Sequence, residues 1–322
     1  MIPFISKEEM QSSLDYPHLI DALEKAFTED VTAPVRHVHS LSSQTDTSLL
    51  LMPAWQTERN TGVKLVTVAP HNQHHPTVHA IYMLLDTRHG VPLALMDGEE
   101  LTIRRTAAAS ALASGFLSRE ESAHLVIVGN GKLAPHLAVA HCHRRPIKKI
   151  TLWGRNTEKS ERCREHILSH PELPANVQVE ITNDLATQCQ VADIISCATT
   201  SQQAIVQSSW VKPGTHIDLV GGFTPAMREV DDAVMSRATV FVDTFAGAVA
   251  EAGDIVQCLH NGSLSRDAIV AELATLCHGQ HRGRQTASEV TVFKSVGTAL
   301  EDLCAANLVW ESWSNKNISP TQ

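Results

Sequence analysis

The sequence predicts an α/β fold, in which a doubly wound parallel sheet is combined with a discontinuous α+β domain. Three observations predict it. From residue 124 onward, short apolar runs alternate with helical patterns, as in the strand–helix–strand units of a parallel sheet. A glycine-rich turn directly follows the first of these runs. Before residue 120, strand-like segments follow one another with few helices between them, which indicates a separate mixed domain.

The mixed domain is predicted from both ends of the chain. Its early elements, a helix, three strands and a helix of small residues, are expected at residues 19–27, 48–53, 62–68, 79–85 and 106–116. The last helical pattern, residues 296–308, is expected to return to this domain. We therefore expect residues 1–120 and 298–322 to form it, and residues 121–297 to form the parallel-sheet domain.

The parallel-sheet domain has a regular series of predicted elements. Its strands are expected at residues 124–128, 149–153, 177–182, 192–198, 216–220 and 239–243, with helices at 133–142 and 158–168. Ligands of such sheets bind beyond the carboxyl ends of the strands. Gly129, Gly154, Thr199 and Gly221 all follow strand ends, so these positions predict a binding site.

Residues 129–134 read GNGKLA, the G-x-G-x-x-A form of the dinucleotide fingerprint. Gly129 allows a tight turn, Gly131 lets the backbone approach a pyrophosphate, and Ala134 lets the next helix pack closely. The start of that helix offers N–H groups and a positive dipole end to phosphates. Because the motif lies between an apolar strand and a helix, it predicts a Rossmann-type cofactor site rather than a structural glycine turn.

The end of the second strand predicts which cofactor binds. An Asp or Glu normally hydrogen-bonds the ribose 2′-hydroxyl there, but this chain has Gly154-Arg155-Asn156. An Arg can pair with a 2′-phosphate through its fork of donors. The sequence therefore favours NADPH, with NADH as the alternative if Arg155 is only a solvated surface residue.

Composition argues against several other classes. The net charge of −9 argues against a nucleic-acid-binding surface. No segment has the roughly 18 apolar residues of a membrane span, and Lys7, Glu8 and Glu9 stand where a signal peptide would be apolar. We expect a cytoplasmic protein without a membrane partner.

Metal and disulfide sites are not expected either. The seven cysteines are scattered without a C-x-x-C pair. The densest histidine group, His71, His74, His75 and His79, is predicted to lie in a loop and has no carboxylate partner at ligand spacing.

Three cations of the mixed domain are candidates for binding an anion. Lys64 interrupts an apolar strand pattern, where an unpaired charge would be costly to bury. Arg105 is expected at the start of an Ala-rich helix, where its charge would oppose the helix dipole unless an anion binds. Arg36 lies in the segment PVRHVH. Taken singly, each fits a surface charge better than a ligand.

Segments along most of the chain resemble the ornithine cyclodeaminase/mu-crystallin family. The matching segments are the Arg36 loop, GVKLV, HPTVHAIYMLLD, LTIRRTAAASALASGFL, VIVGNGKLA, LVGGFTPAMREVDD, EAGDI and TVFKSVGTALEDLCAANLV. They cover nearly all of residues 30–309 in the order the family has them. The Trp153-Gly154-Arg155 turn is similar to that of mu-crystallin-like members, which fits NADPH.

The resemblance implies roles for particular residues. It implies a homodimer formed through the mixed domain, which would bind substrate. Arg36, Lys64 and Arg105 would hold a substrate carboxylate, with Lys64 as the catalytic residue. The residues expected to bind the cofactor are Thr77, Arg105, Gly129, Asn130, Gly131, Lys132, Leu133, Gly154, Arg155, Asn156, Thr199, Val220 and Ser295. Glu251, in EAGDI, would either face the same crevice or cap the following helix.

One residue departs from the cyclodeaminase pattern. Cyclodeaminases have a catalytic Asp directly after the glycine pair that matches Gly221-Gly222, whereas this chain has Phe223. A phenyl ring cannot transfer a proton, so general acid–base catalysis worth about 10²–10⁴-fold would be lost. We therefore do not expect cyclodeaminase activity. Phe223 is expected instead to pack against substrate methylenes and exclude water.

The resemblance then implies reduction of a cyclic ketimine carboxylate: Δ1-pyrroline-2-carboxylate to L-proline, or Δ1-piperideine-2-carboxylate to L-pipecolate. Three alternatives stay open: another imine or amino-acid dehydrogenase, a cyclodeaminase, and a non-catalytic ligand binder of the mu-crystallin type. Ring size also stays open, because one methylene changes binding by only about 1–3 kcal/mol.

Overall fold

The computed structural model describes residues 1–317. Spatial contacts divide the chain into two compact units, Met1–Arg105 with the chain from Thr298 onward, and Thr106–Gly297. The sequence placed this division after residue 120. It falls earlier because the second half of the small-residue helix belongs to the second unit, where Ser110 donates a hydrogen bond of 2.9 Å to Asp218. The end of the expected range 298–322, residues 318–322, lies outside the described part.

The first unit is built on an antiparallel meander. Its elements up to the division are β1 (Phe4–Ile5), α1 (Lys7–Gln11), α2 (Tyr16–Ala26), β2 (His37–Ser42), β3 (Thr47–Trp55), β4 (Asn60–Val68), β5 (Val78–Asp86), β6 (Pro92–Asp97) and the start of α3 (Gly98–Leu117). In the described chain they form a six-stranded sheet in the order β1-β6-β5-β4-β3-β2. Only the β1–β6 pair is parallel among these pairings.

Helix α3 begins at Gly98, not at Thr106 as expected. The Asp97 carboxylate accepts a hydrogen bond of 2.8 Å from the Glu100 backbone N–H, which caps the first turn. Two acidic residues of that turn, Glu99 and Glu100, suit the positive end of the helix dipole. Arg105 therefore lies in the helix interior, and the expectation that its charge opposes the dipole was wrong.

The second unit is an all-parallel sheet with helices between its strands. Its elements are β7 (His124–Val128), α4 (Ala134–Cys142), β8 (Lys149–Trp153), α5 (Thr157–Leu168), β9 (Gln178–Ile181), α6 (Leu185–Val191), β10 (Ile194–Cys197), β11 (His216–Leu219), α7 (Asp232–Arg237), β12 (Thr239–Val242), α8 (Phe245–Glu251), α9 (Gly253–Asn261), β13 (Ile269–Glu272), α10 (Leu273–Cys277) and β14 (Thr291–Lys294). Across the described residues the order is β13-β12-β14-β11-β10-β7-β8-β9. The predicted parallel sheet is confirmed.

The last helix, α11 (Ala299–Asn317), returns to the first unit. It packs against α2, β3 and β4, and Asn60 of β4 donates a hydrogen bond of 2.8 Å to Asn307. The sheet face beneath it is buried, with Met52, Lys64 and Tyr82 in register on neighbouring strands.

The opposite face of the same sheet is also apolar. Its residues alternate with the buried ones along β3 to β6 and are partly exposed; they are Leu51, Pro53, Val63, Leu65, Ile81, Met83 and Leu95. A sheet that faces water on one side normally presents polar residues there. Separately, no helix of the described chain is both long and apolar enough to cross a membrane.

Candidate active site

The glycine turn after β7 has two glycines with different tasks. Gly129 has φ of +123°, and a Cβ there would lie 2.5 Å from the carbonyl oxygen of Ala198. The fold itself therefore requires glycine at this position. A Cβ on Gly131 would meet no atom within 4 Å. The space beside Gly131 is open, as the approach of a pyrophosphate to the backbone requires.

Asn130 ties this turn to the end of the second strand. Its side-chain amide donates hydrogen bonds of 3.0 Å to the Asn156 carbonyl and 3.0 Å to the Ser160 hydroxyl. A Cβ on Gly154 would lie 2.3 Å from the Asn130 Nδ2 atom. Gly154 therefore makes room for Asn130, and Asn156 caps α5 by accepting a hydrogen bond of 2.8 Å from the Lys159 backbone.

A cavity of about 460 Å³ lies at these strand ends in the second unit. It brings together seven residues predicted to bind the cofactor: Gly129, Asn130, Gly131, Gly154, Arg155, Asn156 and Thr199. It also has Lys159 in its wall, which the sequence did not single out. Arg155 and Lys159 are the charged residues among those lining it in the described chain, and none is acidic. This wall suits the negative phosphates of a dinucleotide.

The other predicted cofactor residues are not in the cavity wall. Val220 and Ser295 follow β11 and β14, where their backbone N–H groups donate hydrogen bonds to Cys197 (2.9 Å) and Leu219 (3.2 Å). Lys132 and Leu133 continue the glycine turn into α4. Thr77 belongs to the first unit, in the loop before β5, where its carbonyl accepts a hydrogen bond of 2.7 Å from Ala69.

Lys64 lies at the centre of a buried ionic cluster in the first unit. Its side chain is only 2% exposed. The Nζ atom is 2.9 Å from Oδ1 of Asp302 and 2.8 Å from Oδ2, and donates a hydrogen bond of 3.1 Å to the Thr102 hydroxyl. Asp302 is fully buried on α11. The unfavourable burial of a lone lysine is thus offset by a carboxylate that sequence spacing did not reveal.

Arg105 shares the same carboxylate. Its Nε donates a hydrogen bond of 2.9 Å to Asp302, and its Nη1 donates to Glu301. The charge of Arg36 lowers the pKa of Lys64, and we therefore include Arg36 in the cluster. Three cations, Arg36, Lys64 and Arg105, therefore act on one another at this point of the first unit. Such a grouping of cations suits an anionic ligand.

The surroundings of Lys64 set its proton affinity. Burial lowers the pKa of Lys64 to about 8; Asp302 opposes this change, while the charges of Arg105 and Arg36 add to it. Burial also disfavours the charge of Arg105, but Asp302 and Glu301 outweigh it and raise the pKa of Arg105. Arg105 is therefore a permanent cation at neutral pH, whereas Lys64 can exchange a proton.

A profile of the ornithine cyclodeaminase/mu-crystallin family matches residues 4–317. The chain belongs to this family. It is 38% identical to a Δ1-pyrroline-2-carboxylate reductase of Colwellia psychrerythraea, with 95% of this chain and 98% of the relative covered. It is 34% identical to the ketimine reductase mu-crystallin of Rattus norvegicus, with 97% of each covered.

Among solved structures of the family, one is that of Δ1-pyrroline-2-carboxylate reductase from Thermococcus litoralis in complex with NADH and L-proline. It superposes with a TM-score of 0.92, covers 100% of both chains and is 29% identical. The resemblance inferred from sequence segments is thus confirmed.

Two further residues were expected at the site. Phe223 directly follows Gly222, whose φ is +60°, and its side chain is 45% exposed in the second unit. Glu251 is the last residue of α8, and the N-cap position of α9 is Ala252. Glu251 is therefore not at the N-cap position of α9.

Proposed function

We propose that the protein is an NADPH-dependent reductase of cyclic ketimine carboxylates, converting Δ1-pyrroline-2-carboxylate to L-proline and Δ1-piperideine-2-carboxylate to L-pipecolate. The observation that carries the proposal is the grouping of three cations, Arg36, Arg105 and the buried Lys64, at one place in the first unit. It supports binding of a small carboxylate by the first unit. The names of relatives that share nearly the whole chain support reduction of a ring imine.

The substrate carboxylate is bound by cations. Arg105 is held in place by two carboxylates of α11, so its guanidinium is preorganised before substrate arrives. Arg36 supplies a second guanidinium, and Arg prefers two-point contact with carboxylates. Phe223 offers an apolar surface to the ring methylenes and excludes water.

The chemical step adds one hydride and one proton across C=N. When bound, the reduced nicotinamide supplies the hydride to the imine carbon. Lys64 holds a proton at neutral pH, because its pKa is about 8, and can donate it to the imine nitrogen. Asp302 keeps the Lys64 ammonium in place. A protonated imine is already electrophilic, so orientation and proton supply are what these residues have to provide.

NADPH is favoured by the cations of the second-unit cavity. Arg155 follows β8 and Lys159 lies in the first turn of α5, and both line the cavity. A 2′-phosphate there would meet two positive charges and no acidic residue of the described wall. We expect Arg155→Ala and Lys159→Ala to raise the KM for NADPH about tenfold, as when one charge-assisted hydrogen bond is lost, and to change that for NADH little. A wild-type preference for NADH would contradict this assignment.

The decisive experiment compares two substrates with two cofactors. Initial rates are measured for pyrroline- and piperideine-2-carboxylate, each with NADPH and NADH. We expect turnover with both imines and a higher kcat/KM with NADPH. Pyruvate with ammonia or methylamine tests the alternative of another imine reductase. If no imine causes oxidation of NADPH or NADH, the proposal is overturned and a ligand binder is favoured.

We also propose a homodimer that buries the second apolar face of the first-unit sheet. The residues of this face lie on neighbouring strands, as in the register Leu51–Leu65–Ile81. A charge at Leu65 would be buried in the interface, so Leu65→Arg should give monomers in light scattering. Leu168→Arg, which changes an exposed leucine of the second unit, is the matched control. A monomeric wild-type protein would contradict the proposal.

A further inference from the structure

Three charged side chains are buried behind the strand ends of the second unit and take no part in the steps above. Glu229, Asp254 and Lys294 are each fully buried. They come from the loop before α7, from the first turn of α9 and from the end of β14. Charges buried this deeply are costly unless they are paired or hydrogen-bonded, so their partners indicate their task.

Most of the contacts are with backbone. Oε1 of Glu229 accepts hydrogen bonds from the Thr199 N–H at 2.7 Å and from its hydroxyl at 2.9 Å. Oδ1 of Asp254 accepts from the N–H groups of Glu229 (2.7 Å) and Val230 (3.1 Å). The cluster therefore fixes Thr199, which lines the dinucleotide cavity.

Lys294 hydrogen-bonds the backbone at the neighbouring strand ends. Its Nζ donates hydrogen bonds to the carbonyl groups of Leu219 (3.0 Å), Ser295 (3.1 Å) and Gly221. Leu219 is the last residue of β11, and Gly221 lies shortly after it. Ser295 directly follows β14. One ammonium thus binds backbone at both of these strand ends.

The glycine pair after β11 is explained by the same cluster. A Cβ on Gly221 would lie 2.3 Å from Oε1 of Glu229, and one on Gly222 would lie 2.6 Å from Oδ2 of Asp254. The two carboxylates lie directly behind the turn that leads to Phe223. The spacing of this turn therefore depends on the cluster as well as on the glycines.

We propose that Glu229, Asp254 and Lys294 are positioning residues that hold Thr199 and the turn at Gly221 in the conformation that binds the dinucleotide. The inference deepens the proposed function, on which it rests for the identity of the ligand. Glu229 is the residue that contacts a member of the cavity wall directly. Removal of the Glu229 carboxylate should therefore weaken cofactor binding.

Protonation of Glu229 offers a readout that general structural damage would not give. Burial and the nearby Asp254 charge raise the pKa of Glu229 to about 8, against the opposing effect of Lys294. Arg228 acts on Asp254, and the buried Cys197 thiol also interacts with both carboxylates. Glu229 is therefore mostly protonated at neutral pH and ionises as the pH rises past about 8. Its ionisation adds a negative charge behind a cavity that we expect to bind an anion, so NADPH affinity should fall.

The test measures the dissociation constant of NADPH by energy transfer from tryptophan, since Trp153 lines the cavity. We expect Glu229→Ala to bind NADPH about tenfold more weakly, as for the loss of one ordinary hydrogen bond. Glu229→Gln keeps an oxygen for Thr199 and should regain most of the affinity at pH 7. The matched control is Glu161→Gln, which removes a carboxylate from the exposed side of α5.

The pH profile completes the test. Wild-type affinity should fall between pH 7 and 9, and Glu229→Gln should show no such fall. Equal affinity of Glu229→Ala and wild type, or the same pH profile in wild type and Glu229→Gln, would overturn the inference. If Glu229→Ala does not fold, the Gln profile alone decides. A wild-type protein that binds NADPH but reduces no imine would contradict the proposed reaction and leave this inference standing.

Discussion

Each unit contains a buried cluster of charges, and the two clusters are built in opposite ways. In the first unit Lys64 and Arg105 are paired with the side chains of Asp302 and Glu301. In the second unit the carboxylates outnumber the ammonium, and their hydrogen bonds go largely to backbone. Pairs between side chains can rearrange when a ligand arrives. Pairing with backbone fixes the chain.

The difference teaches where to expect chemistry. A cation whose partner is another side chain can exchange a proton or share its partner when a ligand arrives. A cation that binds backbone carbonyl groups, as Lys294 does, stabilises the conformation of the backbone instead. Substitutions in the first cluster should therefore change kcat, and substitutions in the second should change binding and stability.

The largest effect is expected from Lys64→Met. It removes the proton donor while filling similar space, so kcat should fall about 10²–10⁴-fold. Steady-state kinetics with pyrroline-2-carboxylate measures it, and NADPH affinity should be unchanged because Lys64 is not among the residues that line the second-unit cavity. Turnover that survives the substitution would remove Lys64 from the mechanism.

Asp302→Asn should sharpen the comparison by separating charge from shape. Because the Asp302 charge raises the pKa of Lys64, its loss should lower that pKa below about 8. A donor must be protonated, so the loss of kcat/KM with rising pH should begin at lower pH. The broken buried pair should also reduce the free energy of unfolding by about 3–5 kcal/mol, measured with urea.

Glu301→Gln is the control for that experiment. Glu301 contacts Arg105, and it is not among the groups that shift Lys64. It should weaken carboxylate binding and leave the alkaline limb of the profile in place. A shift of that limb equal to the one in Asp302→Asn would contradict the assignment of the proton donor.

The smallest effect is expected from Glu229→Gln on stability near pH 7. The folded-state pKa of Glu229 is raised from 4.5 to about 8, so the folded protein binds the extra proton between those values. The contribution of this group to stability therefore falls as pH rises from about 4.5 to 8. Glu229→Gln should flatten this dependence in thermal unfolding. A steeper decline in the variant would contradict the neutral state of Glu229.

The parallel sheet was the easiest part to predict from the sequence. The strand predictions for residues 124–128 and 149–153 agree with β7 and β8 to the residue, because buried parallel strands are short apolar runs bounded by polar residues. The start of α3 was missed because the capping residue, Asp97, is also the last residue of a strand.

The candidate site was predictable only in part. The candidate cations could be identified because a charge within an apolar pattern is unusual. The glycine turn could be identified because each glycine at that spacing has a structural role. Asp302 could not be found in this way, since it is far from Lys64 in sequence and the segment ALEDL is typical of any helix. Glu229 was equally hidden in a polar segment, REVDD. Contacts between residues that are far apart in sequence can be identified only once the fold is known.

The return of α11 to the first unit has a consequence for synthesis of the chain on the ribosome. Lys64 and Arg105 are made before the second unit, but Asp302 and Glu301 are made after the whole of it. Until the ribosome has released that helix, Lys64 and Arg105 lack the two carboxylates that pair with them in the folded protein. The order of translation thus leaves the ionic cluster of the first unit incomplete until the second unit has been made.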